Sequence, residues 1–260
     1  MKQLGIIAAL PAEARCLAGK ADKTDATLSS PYQLSNHVCL MVAGIGPEQA
    51  SNAAAALIQQ GVDALLSWGC AGAISADVQP GALMLPQTVL SQTAQTQTIS
   101  PQSTKPRASD TLHTDSAWRT HLSGLLSDSC QPVTGALISS NDIITEPAQK
   151  QALCQFSGAV AVDMESATIA KAAQDADIPF MAIRAIADAV DTSIPAYISR
   201  GMDIYGNINP ASMLGLLLTH PASWLHLMRL GRQFSDAKAT LSLVSETLGI
   251  DGLLPPNLSD

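Results

Sequence analysis

The sequence predicts an α/β fold in which a mostly parallel sheet is covered by helices. Short apolar segments such as residues 4–10 and 38–43 are typical of strands that are buried on both faces. They alternate with helix-like segments, and that order favours parallel strands. The 260 residues fit one domain, residues 1–260, with a single core. Because aromatic residues make up only 3% of the chain, alanine, leucine, isoleucine and valine must fill that core.

The first half of the chain alternates strand-like segments with one clear helix. Pro47 stands where a helix can begin, because proline is tolerated in the first helical turn. The alanine-rich residues 50–59 then predict the helix itself. The predicted strands of this half are residues 4–10, 38–43, 64–68 and 82–90.

The second half contains two polar segments between its regular elements. Residues 91–116 are rich in Gln, Thr, Ser and Pro and show little periodicity, so we expect a loop or lid. Residues 193–210, which include Gly201 and Gly206, predict a second loop. The predicted strands of this half are residues 134–139, 160–162 and 180–186, and the predicted helices are residues 146–156, 165–176, 211–220 and 222–248, with Pro221 between the last two.

Charge and cysteine usage argue against several classes of protein. The net charge is −8, and no run of Lys and Arg exists, so nucleic-acid binding is disfavoured. The five cysteines are odd in number and form no Cys-x-x-Cys motif, which argues against a disulfide framework and a zinc site. The five histidines are scattered and form no metal-binding pattern. We expect neither a signal peptide nor a membrane span, and hence a cytoplasmic protein.

Two acids follow apolar strands in the second half of the chain. Glu165 lies at the junction of a strand and a helix, and Asp188 ends the strand that begins at Phe180. We expect the two strands to be neighbours, so that both acids can face one pocket. A carboxylate at Glu165 can accept two hydrogen bonds from a vicinal diol, and a carboxyl at Asp188 can give a proton to a leaving base. Together they suit cleavage of a bond between ribose and a base.

Several motifs resemble those of the nucleoside phosphorylase/nucleosidase superfamily. Residues 160–166 (VAVDMES) and 183–191 (IRAIADAVD) resemble the segments whose Met-Glu pair holds the ribose and whose acid protonates the purine. Residues 4–13 (LGIIAALPAE), 43–46 (AGIG) and 67–72 (SWGCAG) look like segments of the methylthioadenosine/S-adenosylhomocysteine nucleosidases. The resemblance runs in consistent order from about Met1 to Asp191. The C-terminal third is most similar to the hopanoid-associated phosphorylases, a branch thought to remove adenine from adenosylhopane.

The resemblance implies a three-layer α/β/α fold with a mixed central sheet and an enzyme that releases adenine from a nucleoside. It implies that Glu13 activates water and that Asp188 protonates the purine. It also implies no cofactor and no metal, and a homodimer, because close relatives build part of the 5′ subsite from a neighbouring subunit. The substrate-binding residues that it implies are Cys70, Gly72, Ile143, Ile144, Val162, Met164 and Glu165.

Some positions differ from the usual residues of the superfamily. The usual Ser or Asn before the acid is Ala187, a serine of the central loop is Cys70, and the aromatic residue that stacks on the purine is Ile143. Ser67 stands where phosphorylases have a phosphate-binding arginine, and Arg15 is out of register with another. The absence of these arginines favours water over inorganic phosphate as the nucleophile.

Several alternatives stay open at this point. The substrate can carry a bulky apolar 5′ group, as in adenosylhopane, or it can be methylthioadenosine or S-adenosylhomocysteine. A phosphate-dependent phosphorylase and a non-catalytic nucleoside-binding protein are further alternatives.

Two features of the sequence have a structural interpretation that we prefer to a functional one. Arg184 lies within an apolar strand and needs a buried partner, so we expect an ion pair. Residues 211–241 are rich in leucine and methionine. An amphipathic helix packed on the sheet is the preferred interpretation of that segment, and contact with a membrane surface or a lipid tail is the alternative.

Overall fold

The computed structural model describes residues 2–18, 30–92, 111–195, 203, 205, 206 and 223–258. The strands are β1 (Leu4–Ala8), β2 (Tyr32–Gln33), β3 (Val38–Val42), β4 (Ala64–Ala73), β5 (Leu83–Met84), β6 (Thr88–Ser91), β7 (Thr111–His113), β8 (Ala136–Ser139), β9 (Ala161–Asp163) and β10 (Phe180–Asp188). The helices are α1 (Pro11–Ala18), α2 (Pro47–Gln59), α3 (Ser116–Leu126), α4 (Pro147–Ser157), α5 (Ser166–Asp175) and α6 (Ser223–Leu248), and a 3₁₀ turn follows at Asp251–Leu253.

These strands form one mixed sheet, which branches at the long strand β4. The order along the main path is β2-β3-β1-β4-β9-β8-β6-β7, and β10 pairs with β4 and β5. Strands β1 and β10 are parallel to β4, whereas β9 is antiparallel to it. Gly72 of β4 is opposite both Asp188 of β10 and Val162 of β9. Strands β9 and β10 therefore lie on opposite edges of β4, and the prediction that they are neighbours was wrong.

Helices cover both faces of the sheet, so the predicted three-layer α/β/α fold is confirmed. Alternate residues of β1 face opposite sides, with Ile6 in one core and Ile7 in the other. Helices α1, α3 and α6 pack on the first side, and α2 and α5 pack on the second. Helix α4 contributes Leu153 to a third, smaller cluster. The buried face of α2 is mostly alanine, which fits a core with few aromatic residues.

Several predicted boundaries were wrong for local reasons. Residues 82–90 form two short strands, β5 and β6, rather than one. Pro86 lies between them and has no N–H group for a backbone hydrogen bond to a neighbouring strand. Strand β4 extends past the predicted Trp68 because its last residues, Gly72 and Ala73, pair with β9. The predicted loop at 91–116 contains β7, and residues 93–110 lie outside the described part.

Helix α3 was not predicted, although its signal is in the sequence. Its buried residues Trp118, Leu122 and Leu126 are four apart, which is a helical spacing. Asp115 caps the helix, because its carboxylate accepts the N–H of Trp118 at 2.8 Å.

The C-terminal helix packs on the protein along the part that is described. Residues Ala237, Leu241 and Val244 of α6 are buried, and the helix contacts β10 and α1. The preferred interpretation of a helix packed on the sheet is therefore confirmed for α6. The predicted helix at 211–220 and most of the predicted loop at 193–210 lie outside the described residues. None of the helices that the structure describes is long and apolar enough to cross a membrane.

A buried ion pair joins three strands and a helix, as expected for Arg184. Its Nε and Nη2 donate to Oδ2 of Asp163 at 3.0 and 2.7 Å. Nη2 also donates to the hydroxyls of Ser67 at 2.6 Å and Ser166 at 2.9 Å. All four residues are buried. The pair therefore connects β10, β9 and β4 with the start of α5.

Removing the cation of this pair should destabilise the fold. We expect Arg184→Met to lower the free energy of unfolding by about 3–5 kcal/mol, because Asp163 would keep a buried charge without its partner. Urea denaturation measures the change. The matched control is Arg229→Met, which removes an exposed ion pair with Asp191 and should cost no more than about 1 kcal/mol. Equal losses in the two variants would contradict this account of the core.

Candidate active site

The predicted site residues surround one cavity of about 230 Å³. Residues that end or follow β1, β4, β8, β9 and β10 line it, so several strand ends contribute to a single site. The sequence prediction named nine of the lining residues: Glu13, Cys70, Gly72, Ile143, Ile144, Val162, Met164, Glu165 and Asp188. The structure brings all nine together. Their individual roles stay predictions.

Glu13 lies in the first turn of α1 and is held against β4. Its Oε2 accepts the N–H of Leu10 at 2.9 Å, and its Oε1 accepts the N–H of Cys70 at 2.8 Å. Its side chain is buried, and burial raises the pKa of the carboxyl, although the nearby Arg184 and the two N–H groups oppose the change. A fixed carboxyl with a raised pKa is suited to general-base work near neutral pH.

Gly69 makes the position of Glu13 possible. A Cβ atom at this residue would lie 2.7 Å from the Glu13 carboxyl and 2.8 Å from Nη1 of Arg184. Such distances leave no room for a side chain. The glycine therefore lets an acid from α1 and a cation from β10 meet at the surface of β4.

Glu165 directly precedes α5 and lines the cavity, where its carboxylate is held by a glycine turn rather than by the helix. Its Oε1 accepts the N–H of Gly46 at 2.9 Å, and Gly46 has a φ of 100°, which favours glycine. Burial and the nearby Asp163 raise the pKa of Glu165 to about 7, while Arg184 and the Gly46 N–H oppose the rise. The carboxyl can therefore change its charge near neutral pH.

Asp188 contacts a cation that the sequence analysis missed. Its Oδ2 accepts a hydrogen bond from Nζ of Lys150, which is almost completely buried on α4. Its Oδ1 lies close to Gly72, where a Cβ atom would be only 2.8 Å away. Burial raises the pKa of Asp188, and the Lys150 ammonium opposes the rise.

A signal for Lys150 was present in the sequence. It stands three residues before Leu153, so both side chains lie on the same, buried face of α4. A lysine on the apolar face of a helix needs a buried partner. The partner could not be inferred, because Asp188 is 38 residues away and belongs to a different layer.

Two further residues of the cavity wall are a cysteine and an aspartate. Cys70 lines the cavity, and burial together with the charge of Glu13 holds the pKa of its thiol well above the usual range. Asp142 lines the cavity next to Ile143, although it is otherwise exposed. Within the described ranges, no group of three or more His, Cys, Asp or Glu side chains could hold a metal ion.

The positions discussed for phosphate binding are occupied differently. The Ser67 hydroxyl is buried and accepts a hydrogen bond from Arg184. Arg15 is exposed and is not among the described residues that line the cavity. Lys150, the one cationic side chain among the described lining residues, is paired with Asp188.

Two solved structures with a similar overall fold are a nucleosidase and a hydrolase. A 5′-methylthioadenosine/S-adenosylhomocysteine nucleosidase from Neisseria meningitidis, in complex with methylthio-immucillin-A, has a TM-score of 0.67 at 16% identity and covers 95% of this chain and 98% of its own. The futalosine hydrolase of Helicobacter pylori has a TM-score of 0.64 at 17% identity and covers 94% of this chain and 98% of its own. At these identities, the likeness is one of fold.

The sequence itself also matches a family and a curated relative. A 5′-methylthioadenosine/S-adenosylhomocysteine nucleosidase from Buchnera aphidicola subsp. Baizongia pistaciae is 27% identical over 199 residues, which are 73% of this chain and 79% of that protein. The family model for the phosphorylase superfamily matches residues 3–197, which include every strand of the sheet and the predicted catalytic acids. This chain therefore belongs to the phosphorylase superfamily.

Proposed function

We propose that this protein hydrolyses the N-ribosidic bond of an adenine nucleoside that carries an apolar 5′ group, with adenosylhopane as the model substrate. The observation that carries the proposal is the meeting of three buried acids, Glu13, Glu165 and Asp188, around one cavity. Each acid is held by a different set of partners, and the three sets suit different tasks in this reaction.

The reaction needs a proton for the base, a nucleophile for C1′ and an anchor for the ribose. Asp188 gives a proton to a ring nitrogen of adenine as the bond from C1′ to nitrogen breaks. Glu13 takes a proton from water, whose oxygen bonds to the oxocarbenium-like C1′. Ionised Glu165 accepts hydrogen bonds from the two ribose hydroxyls, and Met164 packs beneath the sugar. The products are adenine and a ribose that carries the 5′ group.

The charge distribution supports water rather than phosphate as the nucleophile. Glu13, Asp142, Asp163, Glu165 and Asp188 all line the cavity. A phosphate dianion in this place would meet the ionised carboxylates of Glu13 and Glu165, and the described lining residues offer no unpaired cation to offset them. Neutral water meets no such barrier.

The remaining surface of the cavity supports an apolar 5′ group. Besides the acids, its side chains include Leu10, Ile45, Ile143, Ile144 and Ile194. Aliphatic residues suit a hydrocarbon substituent, whereas the charged amino acid tail of S-adenosylhomocysteine would need polar partners. The similarity to a curated 5′-methylthioadenosine/S-adenosylhomocysteine nucleosidase supports the alternative, in which the 5′ group is that of methylthioadenosine or S-adenosylhomocysteine.

The assembly and location of the protein are part of the same proposal. The family resemblance implies that a neighbouring subunit completes the 5′ subsite, so we propose a homodimer. A lipid-like substrate would bring the dimer into peripheral contact with a membrane from the cytoplasmic side.

Adenine release should not depend on phosphate. We expect turnover of an adenine nucleoside in phosphate-free buffer, with the unphosphorylated 5′-substituted ribose as the second product, because the cavity lacks an unpaired cation among its described residues. Chromatography of both products, with and without added phosphate, measures this. Activity that appears only with phosphate and yields ribose 1-phosphate would contradict the proposal.

The 5′ group should decide between competing substrates. We expect kcat/KM to be higher for a 5′-alkyl adenosine than for S-adenosylhomocysteine by about tenfold or more. Burial of only two CH₂ groups, at about 0.8 kcal/mol each, would account for such a ratio. Competition between the two nucleosides and methylthioadenosine gives the order directly. A clear preference for S-adenosylhomocysteine would transfer the assignment to the alternative.

Removing the charge of Glu165 should lower activity and raise stability. We expect Glu165→Gln to lose at least about tenfold in kcat/KM, because a hydrogen bond to a charged group is worth about 1.5–3 kcal/mol.

Since the pKa of Glu165 is raised from 4.5 to about 7, the folded state binds this proton more tightly than the unfolded state. Native stability therefore falls as pH rises from 4.5 through about 7.

Thermal unfolding at two pH values tests the direction of this change in stability with pH. Glutamine does not titrate, so the variant should gain several degrees in Tm over the native protein at pH 8, with a smaller gain at pH 5. The matched control, Glu48→Gln, changes an exposed acid in the first turn of α2 and should alter neither quantity. If the native protein cleaves ribosyl and 2′-deoxyribosyl substrates equally well, the ribose-anchoring role of Glu165 is wrong.

A further inference from the structure

Lys150 is the one buried lysine among the described residues, and its ammonium group is fully paired. Nζ donates to the Asp188 carboxylate, to the Ala189 carbonyl at 2.9 Å and to the Thr192 carbonyl at 3.0 Å. An ammonium group has three N–H donors, so none is left over. The two carbonyls belong to the turn that follows β10. Lys150 therefore attaches α4 to both the acid and the turn beyond it.

The two oxygens of the Asp188 carboxyl have different surroundings. Oδ2 is held by Lys150, while Oδ1 lies next to Gly72 at the wall of the cavity. The preceding residue, Ala187, has no polar side-chain atom that could hold the carboxyl. The orientation of Asp188 thus depends on a cation from another element. A buried ion pair is weak evidence for a purely stabilising role, because desolvation offsets much of the attraction.

We propose that Lys150 is the positioning residue of the acid in this reaction: it fixes Oδ2 of Asp188 so that Oδ1 is presented to the leaving base. The inference rests on the proposed function, since it assigns a partner to the acid of that mechanism. Lys150 does not touch the reacting atoms and acts only through Asp188.

The proposal has a consequence for the pH dependence of the rate. The ammonium group stabilises the ionised form of Asp188 against burial, so its removal should raise the pKa of this carboxyl further. The acid form delivers the proton, and the rate falls as pH rises through that pKa. The other ionisable groups of the cavity are Glu13 on α1, Asp142 after β8, Asp163 on β9, Glu165 before α5 and the thiol of Cys70 on β4, with Arg184 of β10 beneath them. Lys150→Met changes none of these residues.

The experiment compares two replacements of Lys150 in the full-length protein. Lys150→Met keeps the length of the side chain and removes its charge. We expect kcat to fall about 10–100-fold with a smaller change in KM, and the alkaline limb of the pH–rate profile to move to higher pH. Lys150→Arg keeps the charge and should keep the limb near its native position. The matched control is Lys171→Met, which removes an exposed ion pair with Asp175 and should change neither the rate nor the profile.

A double-variant cycle distinguishes positioning from a general loss of structure. Asp188→Asn alone should lose about 10²–10⁴-fold in rate, as expected for a general acid. If Lys150 acts through Asp188, then Lys150→Met combined with Asp188→Asn should be no slower than Asp188→Asn alone. Because the double variant buries no lone charge, it also serves where Lys150→Met does not fold. The proposal would be overturned if the rate losses of the two single variants added up in the double variant. It would also be overturned if the alkaline limb of the pH–rate profile of Lys150→Met stayed at its native pH.

A third measurement separates this inference from the proposed function. The ¹³C resonance of the Asp188 carboxyl, assigned with Asp188→Asn, should titrate at higher pH in Lys150→Met than in the native protein. This measurement needs no turnover. If the native protein releases adenine from no nucleoside, the proposed function fails, and the carboxyl titration still decides whether Lys150 controls Asp188. An unchanged titration in an active enzyme overturns the inference alone.

Discussion

The site depends on the buried hydrogen bonds and the ion pair that the guanidinium group of Arg184 makes. It bonds Asp163, Ser67 and Ser166 in the buried middle of the molecule, and its positive charge is shared with Glu165 and Glu13. Burying several carboxylates in one region is costly, because each loses its hydration and repels the others. The cation reduces both costs. The same residue therefore connects the strands and allows acids to collect at the edge where the strands end.

The cavity has two electrostatic halves, each with its own cation. Arg184 opposes the rise in pKa of Glu13 and Glu165, whereas Lys150 opposes the rise in pKa of Asp188. Burial remains the larger influence in all three cases, so each carboxyl keeps a raised pKa. Raised values bring these groups closer to neutral pH, where a residue can both accept and donate a proton. Separate cations let the proposed base and the proposed acid be adjusted independently.

Sequence patterns predicted those parts of the site that depend on local order, and missed those that depend on distant contacts. Glu165 and Asp188 were found because each stands at the end of an apolar strand, in a segment that resembles the superfamily. The branch at β4 was missed because Gly72 pairs with β10 on one side and with β9 on the other. The spacing of residues within one segment does not reveal which strands pair with it. Lys150 was missed for the same reason. Its helix was predicted, but its partner is determined by the tertiary arrangement of α4 and β10.

The glycines of β4 connect the sequence motif at 67–72 with the chemistry proposed for the cavity. A side chain at Gly69 would overlap the Glu13 carboxyl, and one at Gly72 would overlap Oδ1 of Asp188. Each glycine therefore leaves room for one acid against β4. Acids from α1 and from β10 can approach the same strand and line the same cavity. Side chains at these two positions would displace the proposed base and the proposed acid from the cavity wall.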